Sequence, residues 1–225
     1  MTTFVAIRNR ISDDVRSVAT ASSSDIATQI SAEVLSAVAF YARERFYFNT
    51  KTSTFSTVAN QEYYSSSDLA DIATLVKIDS MTVTHGSVKF PVKPMDFEAM
   101  DGWQNSAVKG LPRYYAYYKQ NLRFYPIPNA VYTITMAYVY KLTALSADGD
   151  SNAWTTDAEE LIRARASRRL YENLVRNAER AATARMQEME ALAALKRETR
   201  MRTSPGVLRV DDALVTPAAF NIAYD

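Results

Sequence analysis

The string Asp148-Gly149-Asp150-Ser151-Asn152, with Glu159 in twelfth position, is the part of this chain that comes nearest to a ligand spacing. Oxygen donors at positions one, three, five and twelve match a calcium loop of the EF-hand type. Two features argue against that chemistry. The sixth position, where the loop needs glycine for a sharp turn, is Ala153, and the preceding segment reads as strand instead of an entering helix. Asp148, Asp150, Asn152 and Glu159 therefore stand as a weak metal candidate, and no cofactor is expected. General-base chemistry most often needs histidine. The chain has one, His85, beside Gly86 where a turn is expected. Phosphate-cradling loops need closely spaced glycines for backbone approach. With five glycines in 225 residues and no matching motif, hydrolytic, kinase and dinucleotide chemistries all lack their parts.

Two further groups have the right residue types for binding. Tyr114, Tyr115, Tyr117, Tyr118, Tyr125, Tyr132, Tyr138 and Tyr140 are able to stack bases or sugars. Neighbouring tyrosines on a strand point to opposite faces, so the cluster reads better as a sheet with one buried face and one face turned to a neighbouring subunit. Arg163, Arg165, Arg168 and Arg169 lie on a late helix, balanced by Asp157, Glu159, Glu160 and Glu172. They read as a solvated or intersubunit face, since arginine is favoured in interface ion pairs. The net charge is only +1. Tight binding to a phosphate backbone usually shows a strong basic excess, so specific nucleic-acid binding is not the leading expectation.

The elements that position these groups follow from periodicity. Phe4, Ile7 and Ile11 have helical spacing, and a second helix starting near Ser24 carries Ile26, Ile30, Val34, Ala37, Val38 and Tyr41. The middle of the chain turns to Thr, Val, Tyr and Phe with period-two alternation. Met81, Val83 and His85 lead through a turn to Val88, Phe90 and Val92. Tyr114–Tyr118 and Leu122–Tyr125 predict a second hairpin around residues 119–121, with a short helical turn over Met95–Met100 between the hairpins. A long strand is expected over Val131–Leu142, after Pro126 and Pro128. Helix resumes after a polar loop, with Thr156 and Glu159 spaced as a capping box. Leu161, Ile162, Ala166, Leu170 and Leu174 form its stripe, and Met186, Met189, Leu192 and Leu195 continue it. Unbroken from 156 to 202, that helix would be roughly 70 Å long, against a diameter of about 45 Å for a compact chain of this size. Asn177 is a candidate break, and both arrangements stay open.

The expected fold class is α+β. A helical core (residues 1–50 and 150–202) would carry an inserted antiparallel β-domain (51–149) and an extended C-terminal arm (203–225). The arm contains Pro205, Gly206 and Pro217, so it does not continue the helix. It still holds Val207, Leu208, Val210, Leu214, Val215, Phe220, Ile222 and Tyr224. That is too apolar for a solvated tail, and the arm reads as a docking segment for a partner groove. There is no cysteine, which excludes disulfides and thiolate chemistry. No run of 18 apolar residues predicts a membrane span, and a cytosolic site of synthesis is expected.

The order of parts resembles the head-to-tail adaptor proteins of tailed bacteriophages, short-tailed ones especially. The likeness is carried by Tyr41-Ala-Arg-Glu-Arg-Phe-Tyr-Phe48, Phe55-Ser-Thr-Val-Ala-Asn-Gln-Glu-Tyr-Tyr64, Leu122-Arg-Phe-Tyr-Pro-Ile-Pro128 and Asn152-Ala-Trp-Thr-Thr156 opening an Arg-rich helix. It runs over about residues 3–202. The resemblance implies a structural virion protein at the head-tail junction, in a ring commonly of twelve copies. Its partners would be the portal protein, neighbouring copies and the next tail component. DNA would pass through the channel without being gripped. Alternatives are another neck or tail component, a nucleic-acid module using the Tyr strands and Arg helix, and a calcium-dependent carbohydrate binder.

Overall fold

The computed structural model describes residues 2–16, 23–103 and 108–203. The arm residues Val207 to Tyr224 named above lie outside them. The fold class is α+β as expected, built around two hydrophobic clusters.

The first cluster is helical. Helices α1 (Phe4–Arg16) and α2 (Ser23–Tyr41) bury Phe4, Ile7, Ile11, Val15, Ile26, Ile30, Val34, Ala37 and Tyr41. Aromatic packing closes the cluster where α2 leads into the 3-10 turn Tyr47–Asn49. Trp154 meets Phe48 edge-on at 4.9 Å and Phe46 at 5.7 Å.

The second cluster is a pair of four-stranded sheets. In chain order the strands and helices are β1 (Thr50–Ser56), β2 (Tyr63–Tyr64), a 3-10 helix (Ala70–Thr74), β3 (Leu75–His85), β4 (Val88–Pro91), β5 (Lys93–Pro94), α3 (Phe97–Trp103), β6 (Lys109–Gly110), β7 (Tyr114–Tyr118), β8 (Asn121–Tyr125), β9 (Ile127–Pro128) and β10 (Thr133–Tyr140). One sheet has the order β1-β10-β3-β4 and the other β2-β8-β7-β5. Their facing residues form one core, in which Phe55, Tyr64 and Phe124 are in ring contact. The main ladders are antiparallel, but β5 runs parallel to β7 and β6 parallel to β9. Both expected hairpins form. Gly86 takes φ +61° in the first, where a left-handed residue is needed. Lys119 and Gln120 both take positive φ in the second, as a two-residue hairpin turn of the favoured twist demands.

The chain then returns to helix through α4 (Ala153–Thr156), α5 (Glu159–Leu170), a π-helical turn (Tyr171–Val175) and α6 (Ala178–Thr203). The capping box is not the one the sequence suggests. Asn152, not Thr156, caps α4: its Oδ1 accepts from Trp154 N at 2.9 Å, and Thr155 Oγ1 accepts from Asn152 N at 3.1 Å. Glu159 is instead drawn into an ion pair with Arg10 of α1. The late helix is broken near Asn177. Arg176 is left-handed at φ 53°, and Asn177 Oδ1 accepts from Arg180 N at 3.0 Å to start α6. The chain thereby folds back and lays α6 along α5.

Candidate assembly surface

The four oxygen donors of the calcium-like string do not converge. The carbonyls of Asp148 and Asp150 accept from Val5 N and Phe4 N, so this loop caps the exposed amides that open α1. The Asp150 carboxylate accepts from Ala147 N and Ser146 N, both at 2.7 Å, and those bonds hold its pKa below the usual carboxylate range. Asp148 pairs with Arg8, Asn152 caps α4 and Glu159 pairs with Arg10. Among the described residues no three His, Cys, Asp or Glu side chains gather as a metal site.

The four arginines of α5 part company. Arg165 and Arg168, placed by the sequence reading on an outward face, turn inward onto Glu188 of α6. Arg165 Nη1 donates to Glu188 Oε1 at 2.9 Å, and Tyr41 OH donates to the same oxygen at 2.6 Å. Arg168 Nη1 lies 3.0 Å from Oε2, an ion-pair contact outside hydrogen-bond geometry. The Glu188 side chain is only 6% exposed. The physical reason is mutual: a carboxylate on the α5-facing seam of α6 is tolerable only when paired, and two guanidiniums one turn apart supply the pairing. The Arg165 guanidinium also stacks on Phe40, 3.5 Å from the ring centre. Burial, and then the Glu188 carboxylate, push the Tyr41 phenol pKa far up. Arg169 reaches Glu33 of α2 at 3.6 Å, and Arg163 lines clefts between α5 and α6.

The tyrosines divide in a similar way. Tyr115, Tyr132 and Tyr138 are buried in the β cluster. Part of the other face of β7 and β8 is covered from within the chain. Phe97 of α3 stacks on Tyr118 at 4.8 Å, and Trp103 meets Tyr114 and Tyr125 edge-on. Arg123 of β8 joins this layer, buried between Glu62 at 2.6 Å and Asp101 at 2.9 Å.

The apolar groups left on the described surface are distributed. Val88, Phe90, Trp103 and Val131 are exposed on the β half, and Leu35, Phe40, Met186, Met189 and Met201 on the helical half. Phe90, Lys93, Arg113 and Tyr114 edge an open cleft of about 290 Å³. Of the apolar residues that carry the helical composition here, α6 buries Leu195, in a seam with Ala181, Ala184, Glu188 and Thr199. Met186 and Met189 stand on the opposite side, each more than 60% exposed. Glu188 was invisible to a reading that tracked only apolar positions, although its spacing from Ala181, Ala184 and Leu195 places it on the seam.

The described residues form two packed hydrophobic cores, with apolar side chains distributed over the surface. Residues 2–210 match the SU10 adaptor protein family, and the chain belongs to that family of bacteriophage structural adaptors. No curated protein matches the chain. Among the described residues no helix is long and apolar enough to cross a membrane.

Proposed function

We propose that this chain forms a ring between the portal and the tail at one capsid vertex, extends the DNA channel there and docks the next tail component. The observation that carries the reading is the adaptor-family match across 2–210, nearly the whole chain. Three features support it. The helical core presents long surface helices for side-by-side packing. The β half offers Val88, Phe90 and Trp103 to a further partner. The near-neutral charge suits a channel that lets DNA pass without holding it. In this reading the chain has no catalytic task, and the two clusters act as separate domains. Arg163 and Arg169 are the α5 arginines available to a neighbour, and Val207 to Tyr224 form the arm that engages the portal or an adjacent copy. Repetition around a ring makes weak arms collectively strong, because each added contact becomes intramolecular.

Co-expression with the portal protein of the same genome tests this directly, with the complex sized for the full chain and for a version ending at Arg202. A large ring-shaped complex that weakens on truncation is the expected result. A full-length chain that stays free of the portal at every salt concentration overturns it.

A further inference from the structure

Helix α6 is 26 residues long, yet only one narrow seam of it is buried. On the opposite side Ala182, Met186, Met189 and Ala193 follow one another at intervals of four, three and four residues, and all four are exposed. That is the spacing of a coiled-coil seam, repeated on a side of the helix that no other part of the described chain covers. Around it Arg185, Arg197 and Arg200 make no ion pair with the described residues.

A complementary surface exists on the same molecule. Between α5 and α6 run two adjoining clefts of about 330 and 340 Å³, both lined by Ala191 and Ala194 and by Glu160. Their linings carry Asp157, Glu159, Glu160, Glu190 and Glu198 beside Arg163, with Glu159 already paired to Arg10 and Glu198 to Arg202. Glu160 and Glu190 have no partner among the described residues. Small floor residues let a helix approach closely, and a methionine stripe adapts to a shallow groove.

We infer that the Met186/Met189 stripe of one copy seats in the α5–α6 groove of the next copy, with the arginines beside the stripe facing the carboxylates of the groove. Stripe and groove are different surfaces of one chain, so the contact is head-to-tail and closes into a ring when the rotation allows. The inference rests on the ring reading and names the surface that would build it.

The chain is free of cysteine, so single introduced cysteines report the contact without background. Met189→Cys and Ala194→Cys chains are made separately, mixed in equal amounts, assembled with the portal protein and treated with a bismaleimide. Cross-linked dimers are expected from the mixture and from neither variant alone. Self-linking of Met189→Cys, or no linking within intact rings, overturns the head-to-tail contact. In parallel, the Met186→Glu/Met189→Glu chain is expected to lose ring formation while its melting temperature as a monomer stays that of the parent. Rings of normal size from that chain overturn this contact and leave the ring reading standing. A parent chain that stays monomeric with and without portal overturns both.

Discussion

Replacing Glu188 by alanine removes the carboxylate that two largely buried guanidiniums share. The side chains involved are 6% exposed for Glu188, 13% for Arg165 and 18% for Arg168. Breaking a buried ion pair by deleting one partner costs about 3–5 kcal/mol, because the remaining charge stays buried and unpaired. The lower end applies here. Arg165 keeps the face of Phe40, and Arg168 keeps Glu172 at 3.6 Å. The Tyr41 hydroxyl also loses its acceptor, which adds about 1 kcal/mol. A total near 3–4 kcal/mol is a large fraction of the 5–15 kcal/mol typical of a folded domain. With a urea slope of about 1–3 kcal/mol/M, the midpoint should fall by roughly 1–4 M. Trp154 is buried in the helical cluster whereas Trp103 is exposed, so tryptophan emission during urea unfolding reports mainly on this half of the molecule. The matching control is Glu188→Leu with Arg165→Met and Arg168→Met. Removing all three charges together should leave stability within about 1 kcal/mol of the parent, or above it. A midpoint shift below about 0.5 M for Glu188→Ala would refute the reasoning, since it would mean the cluster is solvated and contributes no lock between α5 and α6.

Alkaline pH should unfold the chain cooperatively. Tyr41 has its phenol pKa pushed far up by burial and Glu188, Tyr47 is pushed up to about 12 by burial and Asp157, and burial raises Tyr64, Tyr115 and Tyr138. A pKa raised in the fold means that stability is complete below the unfolded value near 10 and is lost as pH climbs from there towards the folded values. The last phenols to ionise, read by absorbance at 295 nm, should therefore do so together with the loss of native Trp154 emission; complete phenol ionisation while emission stays native would contradict the burial. Phe124→Ala empties the centre of the β cluster, where Phe124 is fully buried, at a cost of about 3–5 kcal/mol. If the two clusters are separate domains, the β-rich signal in circular dichroism melts early while the Trp154 midpoint is unchanged; one shared early transition would show a single cooperative unit.

What was legible in the sequence is what periodicity and turn chemistry encode. Alternation through Met81 and Val83 and the glycine at position 86 specify the first hairpin, and that hairpin is present. Lys119-Gln120 contains no glycine, yet the short gap between two Tyr- and Phe-rich runs was enough to place the second. The chain break at Asn177 was legible as a possibility only, because asparagine both stops and starts helices. Left-handed Arg176 decided it, and nothing about an arginine announces positive φ. The capping box was misplaced for a tertiary reason. Asn152-x-x-Thr155 and Thr156-x-x-Glu159 offer similar local chemistry, and the choice fell to Arg10, more than a hundred residues away in sequence, which engages Glu159. That α3 lies across part of the tyrosine face is likewise visible only in the fold.

A buried charged cluster is a poor source of stability, since well-packed apolar residues would serve as well or better. Its consequence here is positional. The side of α6 that packs on the helical core includes Ala181, Ala184 and Ala191, small residues that offer little to oppose sliding or rotation of one helix on the other. Glu188 opposes both. Moving α6 by one turn, about 5.4 Å, takes its carboxylate out of reach of Arg165 and Tyr41 together, and rotating α6 by one residue turns it off the seam. The same helix carries Met186 and Met189 on its other side, where their direction is useful only at one rotation. At its far end α6 is held again, by Thr199 Oγ1 accepting from Tyr47 N at 3.3 Å and by Arg202 over the Tyr47 ring at 4.0 Å. Pinned at Glu188 and at Thr199, α6 presents its exposed side in a fixed register, as the proposed ring contact would require of every copy.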